Sequence, residues 1–72
     1  MTTIPTFSFK VVLSTFEKMG YYVVRQKGSH VRLHHSHRKP ITIPHHREIG
    51  RGLLAKLLRD SELTLDEFIK NT

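Results

Sequence analysis

Apolar residues near the start of the chain recur with the period of a helix. Phe9, Val12, Leu13, Phe16 and Met19 fall on one stripe, with Lys10, Ser14, Glu17 and Lys18 opposite it. Ser8 stands where a helix N-cap is needed, and Gly20 where a helix ends in the left-handed conformation. The period then changes to two. Tyr21 to Gln26 is aromatic and β-branched, which predicts a strand. Gly28-Ser29 suits a two-residue hairpin turn, because glycine accepts the positive φ of a type II′ first position. His30 to His35 is the return strand. Its alternation sends Val31 and Leu33 to the core and His30, Arg32 and His34 to the other face. Across the hairpin, Val24 is expected on the core face and Arg25 on the outer one.

Ser36 to Lys39 is polar and makes a second turn. Ile41 and Ile43 alternate with Thr42 in a short third strand bounded by Pro40 and Pro44. Proline lacks an amide donor, so this strand is expected at a sheet edge. His45 to Gly52 reads as a loop. Leu53, Leu54, Leu57 and Leu58 then mark a second helix with Lys56 and Arg59 outward. Thr64-Leu65-Asp66-Glu67 has the form of a capping box, opening a short last helix that tucks Leu65, Phe68 and Ile69 against the body. The expected fold is α+β in the order α-β-β-β-α. Its three-stranded antiparallel sheet carries two helices on one face, with a short C-terminal helix added. Residues 1–72 read as one domain, and residues 1–7, which lack periodicity, as a flexible arm.

The size limits what holds this fold together. A chain of 72 residues has a small core, and domains of this size bury only about 60% of their unfolded surface. There is no cysteine, hence no disulfide framework and no thiolate metal site. The apolar runs are far too short to span a membrane, and no signal-peptide pattern appears, so a cytoplasmic protein is expected. Charge changes the picture more. Lys+Arg number 12 against 6 Asp+Glu, a net charge of +6. The basic residues concentrate between 25 and 59, and acids dominate 60–67. Such an excess suits an anionic partner, and it surrounds the hairpin turn.

The turn itself, Arg25-Gln26-Lys27-Gly28-Ser29-His30, carries the most chemistry. A histidine between cations beside a turn can meet a phosphate and also move a proton. RNA is cleaved without metal when a base deprotonates the ribose 2′-hydroxyl, which then attacks the adjacent phosphate. An acid protonates the leaving 5′-oxygen, and cations stabilise the phosphorane. Neutral His30 is a suitable base near pH 7, and Arg25, Lys27 and Arg32 are the electrostatic candidates. The bland reading is a surface histidine that only hydrogen-bonds phosphate. Six histidines also raise the question of zinc. His34 and His35 point to opposite faces of a regular strand and Glu48 is the only nearby acid, so no metal is expected.

Four blocks carry a resemblance. They are Phe16-Glu17-Lys18-Met19-Gly20-Tyr21, then Arg25 to His30, then Ile41-Thr42-Ile43-Pro44-His45-His46, and last Leu53 to Leu58 with Asp66-Glu67-Phe68. In that order and spacing the chain resembles the HicA toxins, also called YcfA-like proteins. The resemblance implies a double-stranded-RNA-binding-like fold, endoribonuclease activity on mRNA (an mRNA interferase) and a HicB-like antitoxin partner; from the residues themselves no cofactor is expected. It implies that the histidine of Gly28-Ser29-His30 is catalytic. His46, after Pro44-His45, becomes a second or accessory histidine, with His45 able to exchange roles with it. Lys56 and Arg59, with Arg51, join Arg25, Lys27, Gly28, Ser29 and Arg32 as RNA- or phosphate-binding candidates. Two rivals stay open: a non-catalytic RNA-binding module of the same fold, and a protein-interaction or metal-binding domain whose charge serves an acidic partner.

Overall fold

The apolar stripe from Phe9 becomes helix α1 (Phe9–Lys18), with the Ser8 hydroxyl accepting the Val11 amide hydrogen at 3.2 Å. The computed structural model describes residues 5–72. Gly20 follows the helix with φ +101°, and a Cβ there would lie 2.7 Å from the His35 ring, so both conformation and space demand glycine. Strands β2 (Tyr22–Lys27), β3 (His30–His34) and β4 (Ile41–Pro44) form an antiparallel sheet in the order β2-β3-β4. Helices α2 (Arg51–Ser61) and α3 (Leu65–Lys70) complete the chain. Thr64 and Glu67 form the reciprocal capping box at the start of α3. This is the α-β-β-β-α, double-stranded-RNA-binding-like arrangement. Among the described residues, no helix is long and apolar enough to cross a membrane.

The core forms where the apolar face of β3 and β4 meets the helices. Val31, Leu33, Ile41 and Ile43 pack with Val12, Phe16, Leu54, Leu57, Leu58 and Phe68, all buried. Burying each large side chain contributes about 1.5–3 kcal/mol. Because β3 alternates, anchoring Val31 and Leu33 forces His30 and Arg32 away from the helices. Phe9, Leu13 and Met19 are only partly buried at the margin.

Ile69 is 44% exposed and not tucked against the body as expected, whereas Phe68 of the same helix is fully buried. Three further features differ from the expectation. The first is Val24, which is 44% exposed and not in the core. The register shifts between Val23 and Arg25, so Val23 stands opposite Leu33 and Arg25 opposite Arg32. Such a bulge inserts an extra residue that the partner strand does not match. All of β2 is exposed, because the helices cover β3 and β4 and leave β2 at the sheet margin. The second is the arm. Phe7–Ser8 is a strand, β1, paired with Glu48–Ile49, β5, inside the segment expected to be a loop. Burial explains the pairing: Ile49 is fully buried and the Phe7 ring packs edge-on to Phe68, centroids 5.4 Å apart. Residues 1–4 of the expected arm lie outside the described residues. The third is α2, which starts at Arg51, with Gly50 as N-cap, and not at Leu53.

The turn between β3 and β4 ties the layers together. The Tyr21 hydroxyl donates to the Lys39 carbonyl at 2.8 Å. Arg38 donates to the carbonyls of Ser61 and Glu62, satisfying acceptors that the end of α2 leaves open. His35 Nδ1 accepts the His37 amide hydrogen, so Nε2 carries the ring proton and donates to the Met19 carbonyl at 3.0 Å. The register makes a paired prediction. Leu33→Ala is expected to lose about 2–5 kcal/mol of stability, and Val24→Ala to stay within about 0.5 kcal/mol of the parent. Denaturant unfolding of both variants checks it; comparable losses would contradict the bulged register.

Candidate functional site

Each side chain around the hairpin turn owes its position to strand pairing. Lys27 pairs with His30, leaving Gly28-Ser29 as the two turn residues. Gly28 has φ +59°, yet a Cβ there would meet nothing within 4 Å, so its glycine serves backbone conformation and not space. Arg25 lies opposite Arg32, which in turn lies opposite Thr42, and His30 lies opposite Pro44. Arg25, Lys27, Gly28, Ser29, His30, Arg32 and Thr42 therefore line one open groove of about 580 Å³ on the sheet face away from the helices.

The groove is cationic, and its cations have no carboxylate partner among the described residues. The ion pairs among the described residues are Lys39–Glu62 at 3.8 Å and Lys56–Asp60 at 3.4 Å, and neither touches the groove. Arg25 and Arg32 face each other across the strands, an arrangement that repels. The Arg32 guanidinium is drawn toward β4, where it donates to the Thr42 hydroxyl at 2.9 Å. That bond leaves its remaining donors for an anion. His30 is exposed, and its ring has no hydrogen-bond partner among the described residues. The arrangement suits a phosphate held by guanidinium and ammonium groups, with an imidazole beside it that can accept or donate a proton.

The other candidates are placed differently. The backbone amide of His45 donates to the Ser29 carbonyl, which brings the segment after β4 alongside the turn. The His45 ring stacks on Phe9, centroids 4.1 Å apart, and is thereby occupied in packing. The His46 ring is exposed and makes no hydrogen bond among the described residues. Lys56, Arg59 and Arg51 do not line the groove: they are exposed on α2, which packs against the covered face of the sheet. Lys56 is moreover paired with Asp60. His34 lies beside Tyr22, whereas His35 is tied to Met19. Among the described residues, no three His, Asp or Glu side chains converge as metal ligands. Thr42 is the groove residue that sequence reasoning missed. Its signal was present, since the alternation of Ile41 and Ile43 already placed it on the polar face.

The family model for the HicA toxin of bacterial toxin–antitoxin systems matches residues 9–63. The chain belongs to the HicA toxin family. The match runs from the first residue of α1 past the end of α2 and includes every residue of the groove; β1 and α3 lie outside it. No curated protein matches the chain.

The unneutralised groove of this HicA chain generates a stability prediction. Arg25→Gln removes one of two facing like charges, so it is expected to leave the fold intact and to stabilise it by about 0.2–1 kcal/mol at low ionic strength. The gain shrinks as salt screens the repulsion. Thermal unfolding across a salt series checks this. A loss of stability on Arg25→Gln would show that the guanidinium is held by the fold and not set against it.

Proposed function

We propose that this HicA protein is the toxin of a toxin–antitoxin pair and acts as a metal-independent endoribonuclease on mRNA. The observation that carries the proposal is the groove: one exposed histidine, His30, beside three cations that no carboxylate among the described residues neutralises. In this reading Nε2 or Nδ1 of neutral His30 accepts the proton of a ribose 2′-hydroxyl. The O2′ attacks the adjacent phosphorus, and the bond to the leaving O5′ breaks. Arg25, Lys27 and Arg32 hold the phosphate and stabilise the added charge of the phosphorane. Gly28 and Ser29 shape the turn that brings the phosphate to His30.

A proton must reach O5′ as it leaves. His46 is the candidate acid, because it is exposed in the segment hydrogen-bonded to the turn, while the neighbouring ring of His45 is stacked on Phe9. Lys56 and Arg59 stand apart from the groove and receive no role at the reacting phosphate. A HicB-like antitoxin would inhibit by covering the His30 face, with carboxylates set against Arg25, Lys27 and Arg32. A second reading is favoured by one observation: the His30 ring has no orienting partner among the described residues. It describes a non-catalytic module that binds RNA through the same groove.

Cleavage assays separate the two. His30→Ala is expected to keep fold and RNA binding, with stability within about 0.5 kcal/mol of the parent because the site is exposed. RNA cleavage is expected to fall about 10²–10⁴-fold, the usual contribution of a general base, and growth arrest with it. Products from the parent should carry a 2′,3′-cyclic phosphate and a 5′-hydroxyl, and EDTA should leave the rate unchanged. A folded His30→Ala protein that cleaves at the parent rate removes His30 from the chemistry. A parent that binds RNA without cutting it establishes the second reading.

A further inference from the structure

The outer face of the sheet does not end at the His30 groove. Beyond it lies a hollow lined by Val24, Arg25, Arg32 and His34. The next cross-strand pair is Tyr22 opposite His34, whose rings meet edge-on with centroids 6.5 Å apart. Tyr22 is 53% exposed. Its neighbour Tyr21 shows the contrast of a tyrosine with a structural role: it is buried, and its hydroxyl donates to the Lys39 carbonyl. The Tyr22 hydroxyl makes no hydrogen bond among the described residues, and its side chain belongs to no part of the core. The bulge matters here, because it leaves Val24 beside Arg25 at the floor of this hollow.

Exposed aromatic rings next to unpaired arginines match the two demands of single-stranded RNA. Its phosphates seek cations, and its unstacked bases seek flat apolar surfaces. The spacing also fits. His34 lies four residue steps along β3 from His30, roughly 13 Å at a strand rise of about 3.3 Å per residue. A base resting at Tyr22 and His34 therefore belongs to a nucleotide beyond the one whose phosphate meets His30. A protein strand could instead pair with the exposed edge of β2. Edge pairing uses hydrogen bonds in the plane of the sheet, however, whereas Tyr22 and His34 stand on its face in line with the groove.

We infer that Tyr22 and His34 form a base-stacking subsite for single-stranded RNA. It holds an unpaired base flanking the phosphate at His30, with Arg25 and Arg32 gripping the backbone between. The inference rests on the RNA-cleaving reading of the groove.

The test uses the full chain carrying His30→Ala, so that RNA stays intact, and short single-stranded oligoribonucleotides with an abasic site placed at each position in turn. One abasic position is expected to weaken binding by about tenfold, the scale of one lost base–aromatic stack. Adding Tyr22→Ala should weaken binding of the unmodified RNA by a similar factor and remove the sensitivity to that position. Tyr22→Phe should restore both. The salt dependence of binding should not change on Tyr22→Ala, since no phosphate contact is lost; circular dichroism confirms the fold. If Tyr22→Ala binds RNA as the parent does, with the abasic sensitivity intact, the subsite is overturned while the RNA reading of the groove stands. If the parent binds none of these RNAs, that reading fails and the subsite with it. If Tyr22→Ala weakens capture of the antitoxin but not of RNA, the face is a protein surface and the subsite is again overturned.

Discussion

One strand carries both the core and the candidate site. On β3, Val31 and Leu33 are held under the helices, so the pleat leaves His30, Arg32 and His34 no direction but outward. The groove is thus fixed by the same burial that stabilises the fold. Displacing His30 would require slipping the strand, and a slip of one residue would expose Val31 and Leu33 while burying an arginine and histidines. In a chain this small, few other contacts could offset that loss. The flanking strands depend on β3 in turn: β2 meets the rest of the sheet through it, and β4 aligns Thr42 against Arg32.

Electrostatics opposes this arrangement rather than supporting it. Arg25 faces Arg32, Lys27 lies across from His30, and the acids that pair with lysines do so elsewhere. The fold tolerates the repulsion because these groups remain in solvent, where it is weak. Among the described residues this cationic face has no internal counter-ion, which suits an anionic partner. On the proposed reading, RNA and a carboxylate-bearing antitoxin would compete for this face.

Much of this was readable from the sequence because the relevant signals are local. The helical stripe from Phe9, the Gly28-Ser29 turn and the alternation of β3 are each set by near neighbours, and they place Arg25, Lys27, Gly28, Ser29, His30 and Arg32 together. What escaped depends on distant partners. The bulge at Val24 adds one residue to a uniformly β-prone run, where neither Val23 nor Val24 is marked by composition. The β1–β5 pair is two residues long on each side and exists because Phe7 and Ile49 find burial, not because either segment is a strong strand former. The different placements of the His45 and His46 rings follow from Phe9, far away in sequence, on which the His45 ring stacks. Tyr21 and Tyr22 are identical in type and adjacent, and only the fold decides that one is buried and the other faces the groove side.

On the proposed reading the anion-binding surface is the His30 face of the sheet and not the outer side of α2. Backbone amide shifts of the isotope-labelled His30→Ala protein, titrated with single-stranded RNA, test it most directly. Perturbations should cluster at Arg25, Lys27, Ser29, Arg32 and Thr42, leaving Lys56 and Arg59 unmoved. Shifts running along α2, with the hairpin and Thr42 unchanged, would instead place anion binding on the helix.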